Sequence, residues 1–260
     1  MAPLRIASLG SSFAAGPGIP PVSDAKAGRS GANYARLLAA RLDGHVALTD
    51  LASSISTPPS RRKLRGLPAD TDVVLIFGGG NDIGYIGGLF MDSFDAYWFL
   101  RVTTYICRWF YPLEPDKEQL DVEALAARYG EVLDAIHARA PGACVLVIEY
   151  LTVVGDHVRP GVDVPFDGGK LVRYRDVAEQ VRVATVKAVQ GREKWCVQVP
   201  VVELSAEHGM GAEQAWVSGW SWRLLFVKGV YHPNAEGMAA VADIIHGKMR
   251  DLGIAATDDA

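Results

Sequence analysis

A serine in a turn of small residues, an asparagine behind a run of glycines and a histidine just ahead of a helix carry, between them, the residue types of acyl transfer. The first turn reads Gly10-Ser11-Ser12-Phe13-Ala14-Ala15-Gly16-Pro17-Gly18. Its glycines and alanines let a substrate carbonyl approach the backbone beside Ser12, and the amide of that serine can help to bind an oxyanion. The second reads Gly78-Gly79-Gly80-Asn81-Asp82-Ile83-Gly84. The Asn81 NH2 group suits a donor to developing negative charge because it carries no charge itself. The third is Tyr231-His232-Pro233-Asn234-Ala235-Glu236-Gly237-Met238, in which Asn234 reads as a helix N-cap and so fixes His232, a residue type able to move protons, at a helix entrance. Taken singly, each turn has a bland reading. A small-residue turn after a strand also describes a phosphate loop, Gly, Asn and Asp fill many turns, and a lone histidine is more often structural than catalytic. Neither GxGxxG nor GxxxxGK can be written across the first turn, and GxSxG is absent, which removes support for dinucleotide, P-loop and nucleophile-elbow readings. The weight lies in the ordered set of three.

Short apolar runs at Leu4–Leu9, Val46–Leu51, Val73–Phe77, Cys144–Ile148 and Cys196–Val202 are too short for stable helices and predict buried parallel strands. Helical periodicity lies between and after them, over Tyr34–Leu42, Val122–Ala138, Leu171–Val189 and Ala235–Leu252. Such alternation predicts a single α/β domain over residues 1–260: a three-layer α/β/α sandwich around a parallel, flavodoxin-like five-stranded sheet, with ligands gathering at the carboxyl ends of the strands. The turns bearing Ser12 and Asn81 follow the first and third strands, so parallel topology brings them side by side.

In order and context, Gly10-Ser11-Ser12, Gly80-Asn81-Asp82 and His232-Pro233-Asn234 resemble blocks I, III and V of the SGNH (GDSL-like) hydrolase superfamily, in the bacterial and fungal esterase branch whose first block reads Gly-Ser-Ser. The resemblance spans nearly the whole chain. It implies acyl-ester hydrolysis without metal or cofactor, a small-molecule ester as partner, Ser12 as nucleophile, Asn81 as oxyanion donor and His232 as base.

The chain departs from that pattern twice. The second block of the family normally supplies a glycine whose amide is an oxyanion donor. The matching stretch here is Asp50-Leu51-Ala52-Ser53-Ser54-Ile55-Ser56-Thr57, which puts Ile55 at the glycine. A backbone amide survives that replacement, although a branched side chain at positive φ is costly; a register one residue earlier makes Ser54 the donor. The second departure is the acid. Three residues before the histidine, where the family has Asp, stands Gly229, with Lys228 beside it. A Ser-His dyad is expected, with the Gly229 carbonyl accepting the Nδ1 hydrogen bond, unless Asp156 or Asp163 folds back to the imidazole.

Two aromatic-rich insertions, at about residues 85–115 and 205–228, break the alternation. One carries Phe90, Phe94, Tyr97, Trp98, Phe99, Tyr105, Trp109 and Phe110; the other carries Trp216, Trp220, Trp222 and Phe226. They read equally as helical insertions with their own core and as a substrate-lining cap. They favour an apolar or aromatic acyl or alcohol group over a bare sugar, with short-chain or aromatic acyl esters as the expected substrates. The net charge of -4 excludes a global field for nucleic acid; the one dense basic run, Arg61, Arg62, Lys63 and Arg65, reads as a solvated face. Cys107, Cys144 and Cys196 lack disulfide-framework or zinc spacing. No run reaches the roughly 18 apolar residues of a membrane span. The start, Met1-Ala2-Pro3-Leu4-Arg5, lacks a leader pattern and predicts a cytoplasmic protein, or a secreted one if a leader has been removed. Two other functions share these residues: acyl transfer to an acceptor other than water, and a catalytically silent α/β binding domain.

Overall fold

A computed structural model of the chain describes residues 2–42, 45–53, 64–100, 121–226 and 228–255. The strands are β1 (Leu4–Gly10), β2 (Val22–Asp24), β3 (Arg29–Ser30), β4 (Val46–Asp50), β5 (Val73–Phe77), β6 (Cys144–Ile148) and β7 (Cys196–Val199). β2 and β3 form a separate two-stranded ribbon, and the other five make one parallel sheet in the order β4-β1-β5-β6-β7. Counted along the chain, that is the 2-1-3-4-5 order of the flavodoxin-like fold, whose switch point lies between its first and third strands.

The apolar runs form strands because both faces of the sheet are covered. β5 is buried throughout and β1 is buried from Ile6 to Gly10, as the central strands of a parallel sheet must be. The helices are α1 (Ser12–Ala15), α2 (Tyr34–Arg41), α3 (Tyr85–Asp95), α4 (Val122–Arg139), α5 (Gly168–Val189), α6 (Trp222–Phe226) and α7 (Ala235–Asp251), with a 3-10 turn over Glu203–His208. α2 packs with α7, and α4 packs with α5. Helices α2, α4, α5 and α7 begin at side-chain caps: Asn33 accepts from the Arg36 amide, Asp121 from Ala124, Asp167 from Gly169 and Asn234 from Gly237.

The last strand ends earlier than the apolar run Cys196–Val202 predicts. Pro200 has no N–H to continue the ladder, and the amides of Val201 and Val202 instead donate to the buried Glu149 carboxylate at 3.0 and 3.1 Å. The segment after β5 is helical as α3, which places Tyr85, Ile86 and Leu89 in the main core. At its end and beyond, Phe94 and Tyr97 pack against Trp220, and Tyr97 and Phe99 against Trp222, with the Trp220 indole donating to the Tyr97 hydroxyl at 3.1 Å. The two insertions therefore share one aromatic cluster. Tyr105, Trp109, Phe110 and Cys107 lie outside the described residues, as do Arg61, Arg62 and Lys63. Cys144 and Cys196 are free thiols. Among the described residues, no helix is long and apolar enough to cross a membrane, and no cluster of His, Cys, Asp and Glu could hold a metal ion.

Candidate active site

The strand register sets the two sheet-borne turns level. Gly10 is paired with Phe77, so β1 and β5 end side by side. A side chain at residue 10 has no room there, because a Cβ would stand 2.3 Å from the Phe77 carbonyl oxygen. Beyond Gly10, the Ser11 amide donates to that same carbonyl at 3.2 Å, and the chain turns at once into α1, whose first residue is Ser12. As the first residue of a helix, Ser12 has an amide with no acceptor inside it. The Ser11 hydroxyl is bound instead to Tyr150, 3.4 Å away, so the two adjacent serines have separate surroundings.

After β5, the backbone folds over two tyrosines. Gly79 has φ +114, and a Cβ there would lie 2.6 Å from the Tyr129 ring, whose hydroxyl donates to the Gly78 carbonyl; a Cβ on Gly80 would lie 2.8 Å from Tyr150. The glycine run is needed so that this turn can pack directly on aromatic rings. Asp82 and Gly84 then close the turn through Asp82 N–H to Gly79 and Gly84 N–H to Asn81 carbonyls. The Asp82 carboxylate, buried in the core, meets Arg128 at 3.0 Å. Held between these anchors, the Asn81 carboxamide makes no hydrogen bond with another described residue.

The histidine arrives on neither strand. A bridge between Val217 and Pro233 brackets it, with Tyr231 N–H donating to Ser218 at 2.9 Å and Ser218 N–H to His232 at 3.0 Å. Asn234 caps α7 through its Oδ1 and ties back to the Ala215 carbonyl through its Nδ2 at 2.6 Å. His232 is 6% exposed, and its Nδ1 lies 2.6 Å from the Val230 carbonyl. A carbonyl can only accept, so Nδ1 carries the proton and Nε2 keeps a lone pair. Burial pushes the imidazole down to about 4, against a smaller upward pull from the Val230 hydrogen bond. The ring is accordingly neutral near pH 7.

The acceptor on Nδ1 is thus the Val230 carbonyl rather than that of Gly229. Tyr231 adopts φ +58, and the chain reverses over it so that the carbonyl two residues before the imidazole meets Nδ1. The Gly229 carbonyl accepts the backbone N–H of His232 at 3.4 Å. Neither carboxylate considered from the sequence reaches the ring: Asp163 is held by Arg159 at 2.9 Å, and Asp156, 97% exposed, lies beside Arg175.

Ser12, Asn81 and His232 line one cavity of about 350 Å³. No hydrogen bond joins Ser12 to His232; hydrogen bonds between reacting groups often tighten only with substrate bound. Ile86 and Phe90 of α3 and Leu225 of α6 give the cavity an apolar wall, with Lys228 also lining it. The second-block backbone follows β1 as far as Ser53, whose N–H donates to Gly10 at 3.3 Å; Ser54 and Ile55 lie outside the described residues. Of the lining residues, Phe90 was visible in the sequence as part of an aromatic segment. Ile86 and Leu225 carried no signal, because ordinary apolar residues become a pocket wall only through the placement of their helices.

The model of the GDSL-like Lipase/Acylhydrolase family matches residues 8–240. Among solved structures, the extracellular lipase of Streptomyces rimosus is similar at a TM-score of 0.69 and 21% identity, covering 97% of this chain and 99% of that one. Phospholipase A1 of Streptomyces albidoflavus NA297 is similar at 0.72 and 20%, covering 94% and 98%. The carbohydrate acetylesterase Est24 of Sinorhizobium meliloti is similar at 0.52 and 14%, covering 95% and 99%. At these identities the likeness is one of fold. Comparison with curated proteins finds no match.

Proposed function

The chain belongs to the GDSL-like lipase/acylhydrolase family, and from that premise we propose that it is a serine esterase acting through an acyl-enzyme on Ser12, with His232 as general base. The observation that carries this reading is the convergence of Ser12, Asn81 and His232, from three distant turns, on one cavity. The Nδ1 bond to Val230 supports the role of His232, because it leaves Nε2 as the free basic nitrogen.

In the proposed reaction, Nε2 takes the Ser12 hydroxyl proton as Oγ bonds to the ester carbonyl carbon, and the carbonyl π electrons move onto oxygen. The Ser12 amide and the Asn81 NH2 group donate to that oxygen, with the second-block amide at Ile55 as a third donor. Collapse of the tetrahedral intermediate breaks the bond to the alcohol, which leaves with the proton held on Nε2. Water then repeats the sequence on the acyl-enzyme, giving up its proton to Nε2 and releasing the acid and Ser12. The apolar wall of Ile86, Phe90 and Leu225 supports short-chain or aromatic acyl groups.

A fluorophosphonate probe tests the nucleophile. Stoichiometric labelling of Ser12, lost in Ser12→Ala together with hydrolysis of 4-nitrophenyl butyrate, is expected. Undiminished hydrolysis by Ser12→Ala would refute the assignment, and absence of labelling in the native chain would favour a silent binding domain.

A further inference from the structure

Among the described residues that line the cavity, one that ester hydrolysis as such does not call for carries a charged side chain, and it is exposed to solvent. Lys228 lines the cavity together with Ser12, Asn81 and His232. No described Asp or Glu lines it, and Lys228 forms no ion pair with another described residue. The imidazole that shares the cavity is neutral near pH 7, which leaves Lys228 as the cationic group among its described lining residues.

The backbone places this cation at a cost. Lys228 follows α6 with φ +61, a left-handed conformation in which Gly or Asn is usual. Its N–H donates to Leu225 at 3.2 Å, and the Gly229 N–H donates to Leu224 at 2.9 Å, which holds the turn. A long cationic side chain in a strained position at the edge of a reaction cavity is where function is to be sought. The neighbouring residue points the same way. Residue 229 is a glycine without steric need, since a Cβ there would meet only ordinary contacts, the nearest being Leu224 at 3.5 Å. A carboxylate at 229 would sit next to Lys228 and offset its charge. With Val230 holding the imidazole, none is required.

We propose that Lys228 selects esters bearing an anionic oxygen group, a carboxylate or a phosphate, within reach of the cavity on either the acyl or the alcohol side of the scissile bond. The inference rests on the serine-esterase reading above and names its substrate class. The anion would pair with the Lys228 ammonium while Ile86, Phe90 and Leu225 hold the uncharged part of the substrate.

The test compares matched pairs of esters. For an acyl-side anion, these are 4-nitrophenyl hydrogen glutarate and 4-nitrophenyl pentanoate; for an alcohol-side anion, 1-butyroylglycerol 3-phosphate and 1-butyroylglycerol. In the native protein, kcat/KM should favour the anionic member of at least one pair, and that pair identifies the side. Lys228→Met should reduce the anionic-to-neutral ratio by about fivefold or more, mainly through KM, and Lys228→Glu should reduce it further. A second reading needs no variant: raising NaCl from about 0.02 to about 1 M should narrow the native preference, because salt screens a partly exposed pair. A ratio that changes less than about twofold in both variants and is indifferent to salt, for both pairs, overturns the inference while leaving the esterase intact. Failure of the underlying reading looks different: neither member of either pair is turned over, and Ser12 is not labelled.

Discussion

The low proton affinity of His232 gives a sharp expectation for pH. A base with the ordinary histidine value of 6.5 would be about 3% deprotonated at pH 5, and one at about 4 would be about 90% deprotonated. The kcat/KM of an uncharged ester at pH 5 should therefore stay near nine-tenths of its plateau, about thirtyfold above what an ordinary imidazole would allow. The acid limb should have its midpoint near pH 4. Initial rates from pH 3.5 to 8, with the released acid quantified by chromatography, measure this without interference from ionisation of the leaving group. The same group also affects stability. Because its value is lower folded than unfolded, the unfolded chain binds the extra proton between pH 6.5 and 4, so stability is full above 6.5 and declines as pH falls through that window. The decline from this residue is about 1.4 kcal/mol per pH unit, and about 3 kcal/mol in all. Urea unfolding of the native chain and of His232→Gln isolates it, since the other titrating groups are common to both. An acid limb at pH 6.5 or above, with a stability difference between the two proteins that does not vary with pH, would refute the argument from burial.

Two other perturbations probe the parts of the site separately. Asn81→Ala removes the carboxamide proposed as an oxyanion donor and should reduce kcat by about 10²- to 10³-fold with little change in KM; steady-state kinetics on 4-nitrophenyl butyrate checks the split, and an effect confined to KM would assign Asn81 to ground-state binding. Asn234→Ala removes both the cap on α7 and the tie to Ala215 and should destabilise the fold by about 1–2 kcal/mol. Thermal unfolding should register this as a fall in Tm of a few degrees, and an unchanged Tm would show that the cap contributes nothing to anchoring the histidine arm.

Much of this architecture was legible in the residues because it depends on short-range rules. Runs such as Val73–Phe77 are too short for helices and too apolar for loops, so only a strand buried on both faces accommodates them. Asn234 announced a helix start because its side chain satisfies an amide three residues on, a relation fixed by local geometry. The glycines at 10, 79 and 80 marked turns, but why each lacks a side chain became clear only with Phe77, Tyr129 and Tyr150 packed against them. The partner of the imidazole was out of reach for a different reason. Every residue offers a carbonyl, and which one meets Nδ1 is decided by the dihedral of Tyr231, which residue type does not disclose; a tyrosine at positive φ runs against the ordinary preference. The cavity wall was equally hidden, since Ile86 and Leu225 come to line one cavity only where two insertions share an aromatic cluster whose Tyr97 and Trp220 lie 123 residues apart.

The level ends of β1 and β5 divide the machinery mechanically. The turns bearing Ser12 and Asn81 sprout from adjacent rungs of one ladder, so their spacing is tied to the interstrand distance of about 4.8 Å and shifts only if backbone pairing shifts. His232 stands on a separate arm, clamped by the Val217–Pro233 bridge and the head of α7. Under the proposed mechanism, alterations elsewhere in the molecule would thus retune proton transfer by tilting that arm, while Ser12 and Asn81 stay in step on the rigid frame.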